Sequence, residues 1–444
     1  MSFTSSESRW RDVYVAAGAR GISACGDLLA ATALALALQS SGAGGFSVAA
    51  LMLAGVAPLV LLAPLAGRLA DRVDSRTLLI CAGLSQAAIC LSLAFADGVG
   101  VKIVLVALLA SGLAVTQPTL AALLPEMVSR FDLPRASAVN QTANSVGVLL
   151  GPALAGLLVG EFGVRVPLLI DSVSYLSLVA AGLLLGTRRG GGMRAKPAAA
   201  GVAGAGWTLR QDPIVLAMTA AIAGTVAGVG AVNVVEVFFV RDTLDSSTTV
   251  FGLVQATWTA GMLAGGWLLA RSVQRARSDG ALVDGLMLML GLCCVAVLAS
   301  AAVPSWGWLL PLWLFGGVFN GGLNVFSTMI MANRVPAADR GRAFAAQGAA
   351  IQGAGLFGFL AGGLLLERFE PRPLVAVCGL AGLLVVLLVA PKVRSATSEV
   401  TARPTPGGDR YGGDHEASES RPHPVSELPT DLLGLDALGR AYRC

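Results

Sequence analysis

The sequence predicts an all-α integral membrane protein: twelve transmembrane helices in two pseudo-symmetric six-helix halves, followed by a disordered C-terminal tail. Three observations carry this expectation. First, only 13% of the 444 residues are charged and 55% are hydrophobic, whereas a soluble domain carries about 25% charge. Second, the apolar residues gather into twelve runs of roughly the ~20 residues that cross a bilayer. Third, residues in the first six runs recur at fixed offsets in the last six.

The runs fall near 13–38, 46–66, 77–96, 102–124, 137–159, 166–186, 213–239, 249–270, 281–303, 307–331, 343–366 and 373–391. The first is too long for a signal-peptide core and others follow at once, so cleavage is not expected. Basic residues between the runs set their direction. With the amino terminus inside, the inner connections hold 20 Lys and Arg, among them Arg72, Arg76, Arg135, Arg334 and Arg342. The outer ones hold 5: Lys102, Arg165, Arg241, Arg368 and Arg372. Both termini are therefore expected in the cytoplasm, with the chain in the cell (plasma or inner) membrane. The longest inner connection contains Gly190-Gly191-Gly192 and the Ala/Gly run at 200–206, and reads as a flexible linker. The domain plan is an amino-terminal half at 1–186, a linker at 187–212, a second half at 213–392 and a tail at 393–444. That tail holds 14 of the 58 charges and both histidines, a composition that does not build a core. Within it, Thr430–Ala441 has the leucine spacing of a short amphipathic helix.

Gly67, Leu69 and Arg72 recur 199 positions later as Gly266, Leu268 and Arg271, while Arg135, Gly151 and Gly156 recur 207 later as Arg342, Gly358 and Gly363. Paired six-span repeats are a common way to build a transporter, with the substrate site at their interface. The run Gly67-Arg68-Leu69-Ala70-Asp71-Arg72-Val73-Asp74-Ser75-Arg76 resembles the loop 2–3 signature of the major facilitator superfamily. Gly147-Val148-Leu149-Leu150-Gly151-Pro152-Ala153-Leu154-Ala155-Gly156 resembles that superfamily's fifth-helix antiporter motif. Leu133-Pro134-Arg135-Ala136, Ile170-Asp171-Ser172-Val173-Ser174 and the run Val335–Arg342 resemble its drug:proton antiporter branch, which includes siderophore and macrolide exporters. The resemblance implies alternating access coupled to protons, with Asp71, Arg72 and Arg76 forming a gating loop beside Gly67. Ala270 stands where Asp71 would recur, so such a latch would be one-sided.

Asp27 is the outstanding single residue, near the middle of the first span. A carboxylate there costs about 2.5–3.5 kcal/mol on insertion scales, so it should face a cavity and often marks an ion or proton path. Arg20, seven residues earlier, shares its helix face and is expected to act on it. Glu236 and Asp171 lie nearer the outer ends of spans 7 and 6, where contact with interfacial water would suffice to explain them. Gln117, Asn144, Asn233, Asn320 and Asn324 are embedded amides that either line a cavity or join helices. Gly147, Gly151 and Gly156 allow close packing, and Pro152 removes a backbone donor.

Several chemistries are excluded. No histidine precedes His415, so the body cannot hold a Ser-His-Asp triad or a histidine metal cage. The cysteines show no metal spacing, and no Walker A motif is present. Gly353-Ala354-Gly355-Leu356-Phe357-Gly358 matches a dinucleotide fingerprint in letters only, because no strand precedes it. No cofactor, no metal and no nucleic-acid partner are expected, and the chain is not expected to be an enzyme. The expected partners are a small-molecule substrate, protons and the lipid bilayer, and a monomer satisfies the pattern. The leading reading is a proton-coupled exporter of amphipathic small molecules, such as a drug, antibiotic or siderophore. A nutrient importer would more naturally embed several charges, and an embedded enzyme or scaffold would need chemistry the spans lack.

Overall fold

The computed structural model describes residues 8–129, 131–189, 208–275, 278–336 and 339–402. Residues 1–400 form one unit and 401–444 another; the description below concerns the first. The first half contains α1 (Trp10–Ser40), α2 (Gly44–Leu61), α3 (Ala63–Arg72), α4 (Ser75–Ala94), α5 (Val99–Met127), α6 (Leu133–Phe162), α7 (Arg165–Ser174) and α8 (Leu176–Leu184). The second contains α9 (Pro213–Val229), α10 (Val232–Phe238) with a π turn at Phe239–Thr243, α11 (Thr248–Arg275), α12 (Asp279–Ser300), α13 (Trp306–Arg334), α14 (Arg340–Leu366) and α15 (Pro371–Ala402).

All twelve predicted spans are helical, and eleven are long and apolar enough to cross a membrane. The twelfth, α11, has the length, at 28 residues. Its hydropathy is diluted by Gln255, Thr257, Thr259 and four glycines, among them Gly252 packed against α6 and Gly261 and Gly265 against α13. Leu84, Trp267, Leu387 and Leu388 are exposed on the outside of the bundle, as lipid-facing side chains should be.

Three spans are broken. Leu62 separates α2 from α3, between Pro58 and Pro64, where proline removes backbone donors and pre-sets the first turn of α3. Tyr175 separates α7 from α8, and Gly230-Ala231 separates α9 from α10. The second and third breaks carry the site described below. At the other boundary, α15 continues to Ala402, past the expected limit at 392, so the start of the predicted tail is helical. The Thr430–Ala441 helix, both histidines and most of the linker lie outside the described residues.

We call the end of the bundle bearing Arg72, Arg135, Arg334 and Arg340 the basic end, and the opposite one the far end. At the basic end each half is braced internally. In the first half, Asp12 accepts from Thr187 through its backbone N–H at 2.9 Å and its hydroxyl at 2.7 Å. There too Ser8 donates to Asp132 at 2.5 Å and Ser129 donates to it at 3.0 Å. These donors hold the Asp132 carboxyl below the usual carboxylate range. In the second half, Arg334 pairs with Asp212 and Asp279, both at 2.6 Å. Asp212 also caps α9 by accepting from the N–H groups of Ile214 and Val215.

The halves meet along two seams, α6 with α11 and α2 with α14. Close contact along both is at the far end. A Cβ placed on Gly156 would lie 3.0 Å from the backbone of Gly252, and one on Gly363 would lie 3.0 Å from the Gly45 carbonyl. Gln39 donates to Asp242 at 2.7 Å, and Phe46 N–H donates to Glu367 at 3.0 Å. Toward the basic end α2, α3 and the α5–α6 turn stand clear, with Leu61 75% and Phe131 97% exposed. This conformation is closed at the far end and open at the basic end.

Candidate functional site

The first-half carboxyls sit together. Gly26 lets α1 press onto α7, since any side chain there would collide with Asp171 and Ser174. That contact sets Asp27 and Asp171 on the wall of one cavity of about 270 Å³, whose other walls are aliphatic, including Leu34, Leu51 and Leu109. Tyr175, at the α7–α8 break, donates its hydroxyl to Asp27 Oδ1 at 2.6 Å. Ser174 donates to Asp171 Oδ1 at 3.0 Å, and the Cys90 thiol lies 3.3 Å from Asp171 Oδ2. Asp27 is half-buried and Asp171 fully buried. The expected interfacial setting of Asp171 is therefore corrected: α1 and α4, packed against α7, bury it. Arg20 acts on Asp27 electrostatically without an ion pair within hydrogen-bonding reach, and the direct partner is Tyr175.

A second cavity of about 260 Å³ lies inside the other half, between α9–α10, α11, α12 and α13. Glu236, only 2% exposed, lies on its wall, again a correction to an interfacial reading. Gln255 donates to Glu236 Oε2 at 3.1 Å. Asn233 and Asn320 line the same space, and Asn233 also donates to the Gly230 carbonyl at 3.1 Å. Trp258 and Trp313 close it edge to face, with ring centroids 5.2 Å apart.

Between the halves, α6, α11 and α13 enclose a space of about 630 Å³, larger than the two cavities above and reaching the basic end at Ala270 and Ala332. Asn144 and Asn324 line it with Gln141 and Thr328, and among the described residues no charged side chain does. Gln117 is half-buried and lines none of these three cavities.

The fifth-span motif is distributed along two contacts. Gly147 packs on Gly21 and Cys25 of α1, and a Cβ on Gly151 would stand 2.7 Å from that of Leu28, the residue after Asp27. Gly156 faces α11. Pro152, buried within α6, turns its carbonyl toward Gly252. The motif thus ties the turn bearing Asp27 to the far-end seam. In the loop, Asp71 ends α3 beside Arg72, which is exposed, and Arg76 starts α4 after the Asp74 cap. Gly67 has open space around it in this conformation.

Sequence reasoning did not single out Tyr175, Gln255, Trp258 or Trp313. Tyr175 had a signal, one helical turn after Asp171. Gln255 had a weaker one, as the amide at the centre of the least apolar span. The tryptophans had none, because an aromatic in a span reads as packing.

The sequence profile of the Major Facilitator Superfamily matches residues 16–283 and 278–434. No curated protein sequence matches the chain. Among solved structures, a bacterial homologue of the iron transporter ferroportin, in an inward-facing state, aligns with TM-score 0.68 and 18% identity, covering 88% of this chain and 100% of that one. A bacterial homologue of the human lysosomal transporter Spinster gives 0.66 and 13%, covering 90% and 99%. The nucleoside transporter NupG gives 0.66 and 14%, covering 85% and 99%. At such identities these structures speak to the fold alone. The chain belongs to the Major Facilitator Superfamily, and is a multi-pass membrane transporter rather than an enzyme.

Proposed function

We propose that this superfamily member is a proton-coupled exporter of amphipathic small molecules, residing in the cell membrane with its basic end and both termini in the cytoplasm. The observation that carries the reading is the Asp27–Tyr175–Asp171 cluster. It places two carboxyls on one cavity wall in the membrane, neither of them ion-paired, at a break in the adjoining span. Such groups are costly and mark ion paths more often than packing. Asp27 is half-buried and cavity-facing, so it can exchange a proton, and the Tyr175 hydroxyl holds its geometry.

The large cavity supports the substrate class. Its walls are aliphatic, hydroxyl and amide, with no charge among the described residues, which suits an amphipathic body better than a strongly polar nutrient. With the basic end cytoplasmic, as the basic-residue count favours, the described conformation admits substrate from inside. Export then requires the far-end seams to part while Asp71, Arg72 and Arg76 engage at the basic end. An ion pair present in one state and broken in the other biases such an equilibrium.

Inside-out vesicles test the reading. Asp27→Asn keeps the shape and fixes the neutral state. It should abolish uphill, pH-gradient-driven accumulation of a substrate found by panel screening, while downhill exchange persists. A variant that still concentrates substrate like the parent makes Asp27 structural. Accumulation indifferent to a proton uncoupler removes proton coupling altogether.

A further inference from the structure

The second-half cavity is built for a ligand that the proton cluster does not explain. Three polar atoms on its lining residues are buried without a hydrogen-bond partner: Glu236 Oε1, Thr225 Oγ1 and Trp313 Nε1. A buried polar group left unpaired costs about 1–3 kcal/mol, and more when charged. Glu236 Oε1 and Thr225 Oγ1 can accept from a donor placed there, whereas Trp313 Nε1–H, itself a donor, is not met by a cation. Among the described residues no Lys or Arg lines the cavity, and none of them gives Glu236 a counter-charge there. Gln255 orients the carboxyl by holding Oε2, and Oε1 is left without a partner. The rings of Trp258 and Trp313 add π faces, which attract an ammonium group, and apolar surface for its hydrocarbon.

We propose that this cavity binds a small primary-amine cation, its ammonium on Glu236 Oε1 and its apolar body against Trp258 and Trp313. The volume sets the size. At about 260 Å³ it is less than half the space between the halves, about 630 Å³, and suits an arylalkylamine better than a large drug. Anions are rejected by Glu236, and neutral isosteres leave its oxygen unpaired. The proposal deepens the exporter reading by giving the substrate a cationic amine, and rests on that reading only for the statement that the bound amine is transported.

Binding is measured without any gradient, so the two ideas fail separately. Purified protein in nanodiscs is titrated with phenethylammonium and, in parallel, with 3-phenylpropanoate, following tryptophan fluorescence and heat. Phenethylammonium should bind and 3-phenylpropanoate should not. Glu236→Gln should weaken phenethylammonium roughly tenfold or more, the loss of one charge-assisted contact. Glu236→Asp, which keeps the charge, should retain part of the affinity and guards against a folding defect. Trp258→Leu should weaken binding with the carboxylate intact. Equal binding of both probes, or unchanged affinity in folded Glu236→Gln, overturns the site. If phenethylammonium binds as expected while accumulation in vesicles ignores the proton gradient, the exporter reading falls and the amine site stands.

Discussion

The far-end seam between α6 and α11 makes a prediction that the distances size. Gly252→Ala adds one methyl group directly against α6. Its Cβ would lie 3.0 Å from both Cα and N of Gly156 and closer still to the Pro152 carbonyl. Ordinary contact begins at about 3.5 Å, so the helices must separate by roughly 1 Å or more to clear the Pro152 carbonyl. Both neighbours are backbone, which cannot rotate away as a side chain would. Overpacking of this kind costs about 1–3 kcal/mol. The cost falls only on the far-end-closed state, because the same helices part there in the other state. A free-energy difference of that size shifts the closed-to-open ratio by about 5- to 150-fold.

The assay reads accessibility at the seam. Thr248 lies against Gly160, its hydroxyl 2.8 Å from where a Cβ on that glycine would be. A cysteine there is shielded when the seam is shut, so Thr248→Cys should be alkylated faster in the Gly252→Ala background by the same factor. Gly266→Ala is the control: it sits on the same helix with nothing within 4 Å, and carries the same gain in helix propensity. Should the two backgrounds label at the same rate, the seam is not a gate. Gly363→Ala tests the repeat of the idea, since its Cβ would meet the Ala49 side chain and the Gly45 carbonyl.

Other outcomes follow from the basic end. Arg334→Ala leaves Asp212 and Asp279 facing a vacancy and should lower stability by about 2–4 kcal/mol, read as a drop in thermal midpoint in detergent; an unchanged midpoint means the pairs are balanced by water. Phe131→Cys, at a position 97% exposed, should resist an impermeant thiol reagent on intact cells and react after permeabilisation; rapid labelling of intact cells reverses the orientation. The Asp132 carboxyl is held below its usual range, so it contributes stability above its unfolded value, about 3.9, and loses it as pH falls through the folded one. The parent should therefore lose more thermal stability between about pH 6 and pH 3 than Asp132→Asn, and parallel pH curves would show that the Ser8 and Ser129 contacts contribute nothing.

Much of the fold was legible because lipid imposes a simple rule. A span must be long, apolar and helical, so composition locates α1, α4, α5, α12 and α13 to within a few residues of their ends. The rule says nothing about breaks. Tyr175 and Gly230 are local irregularities in spans that read as continuous, and the neighbouring helices are what bury Asp171 and wall the second-half cavity. Asp27 was legible because charge in mid-span is expensive. Glu236 and Asp171 were placed at the interface because sequence gives depth along a helix but not which side a neighbouring helix covers. Their burial, at 2% and 0% exposed, depends on tertiary packing that no periodicity records.

The glycine pattern shows how the repeat works as a device. The sequence offered Gly156 and Gly363, 207 positions apart. Their partners in space, Gly252 and Gly45, are also 207 apart, and each pair closes one far-end seam. Two contacts related by the repeat thus seal one end with backbone against backbone, where even a methyl group is too much. Seams of this kind gain from dispersion over close surfaces, and the polar contacts beside them, Gln39–Asp242 and Phe46–Glu367, are exposed bonds from neutral donors, so the seams can open without breaking charge pairs in the membrane. Gly151 lies one and a half turns from Gly156 on α6 and packs beside Leu28. A tilt of α6 that opens the seam therefore moves the α1 turn carrying Asp27. The position of the Asp27 turn and closure at the far end are linked through α6, with Pro152, between the two contacts, as the place where it can bend.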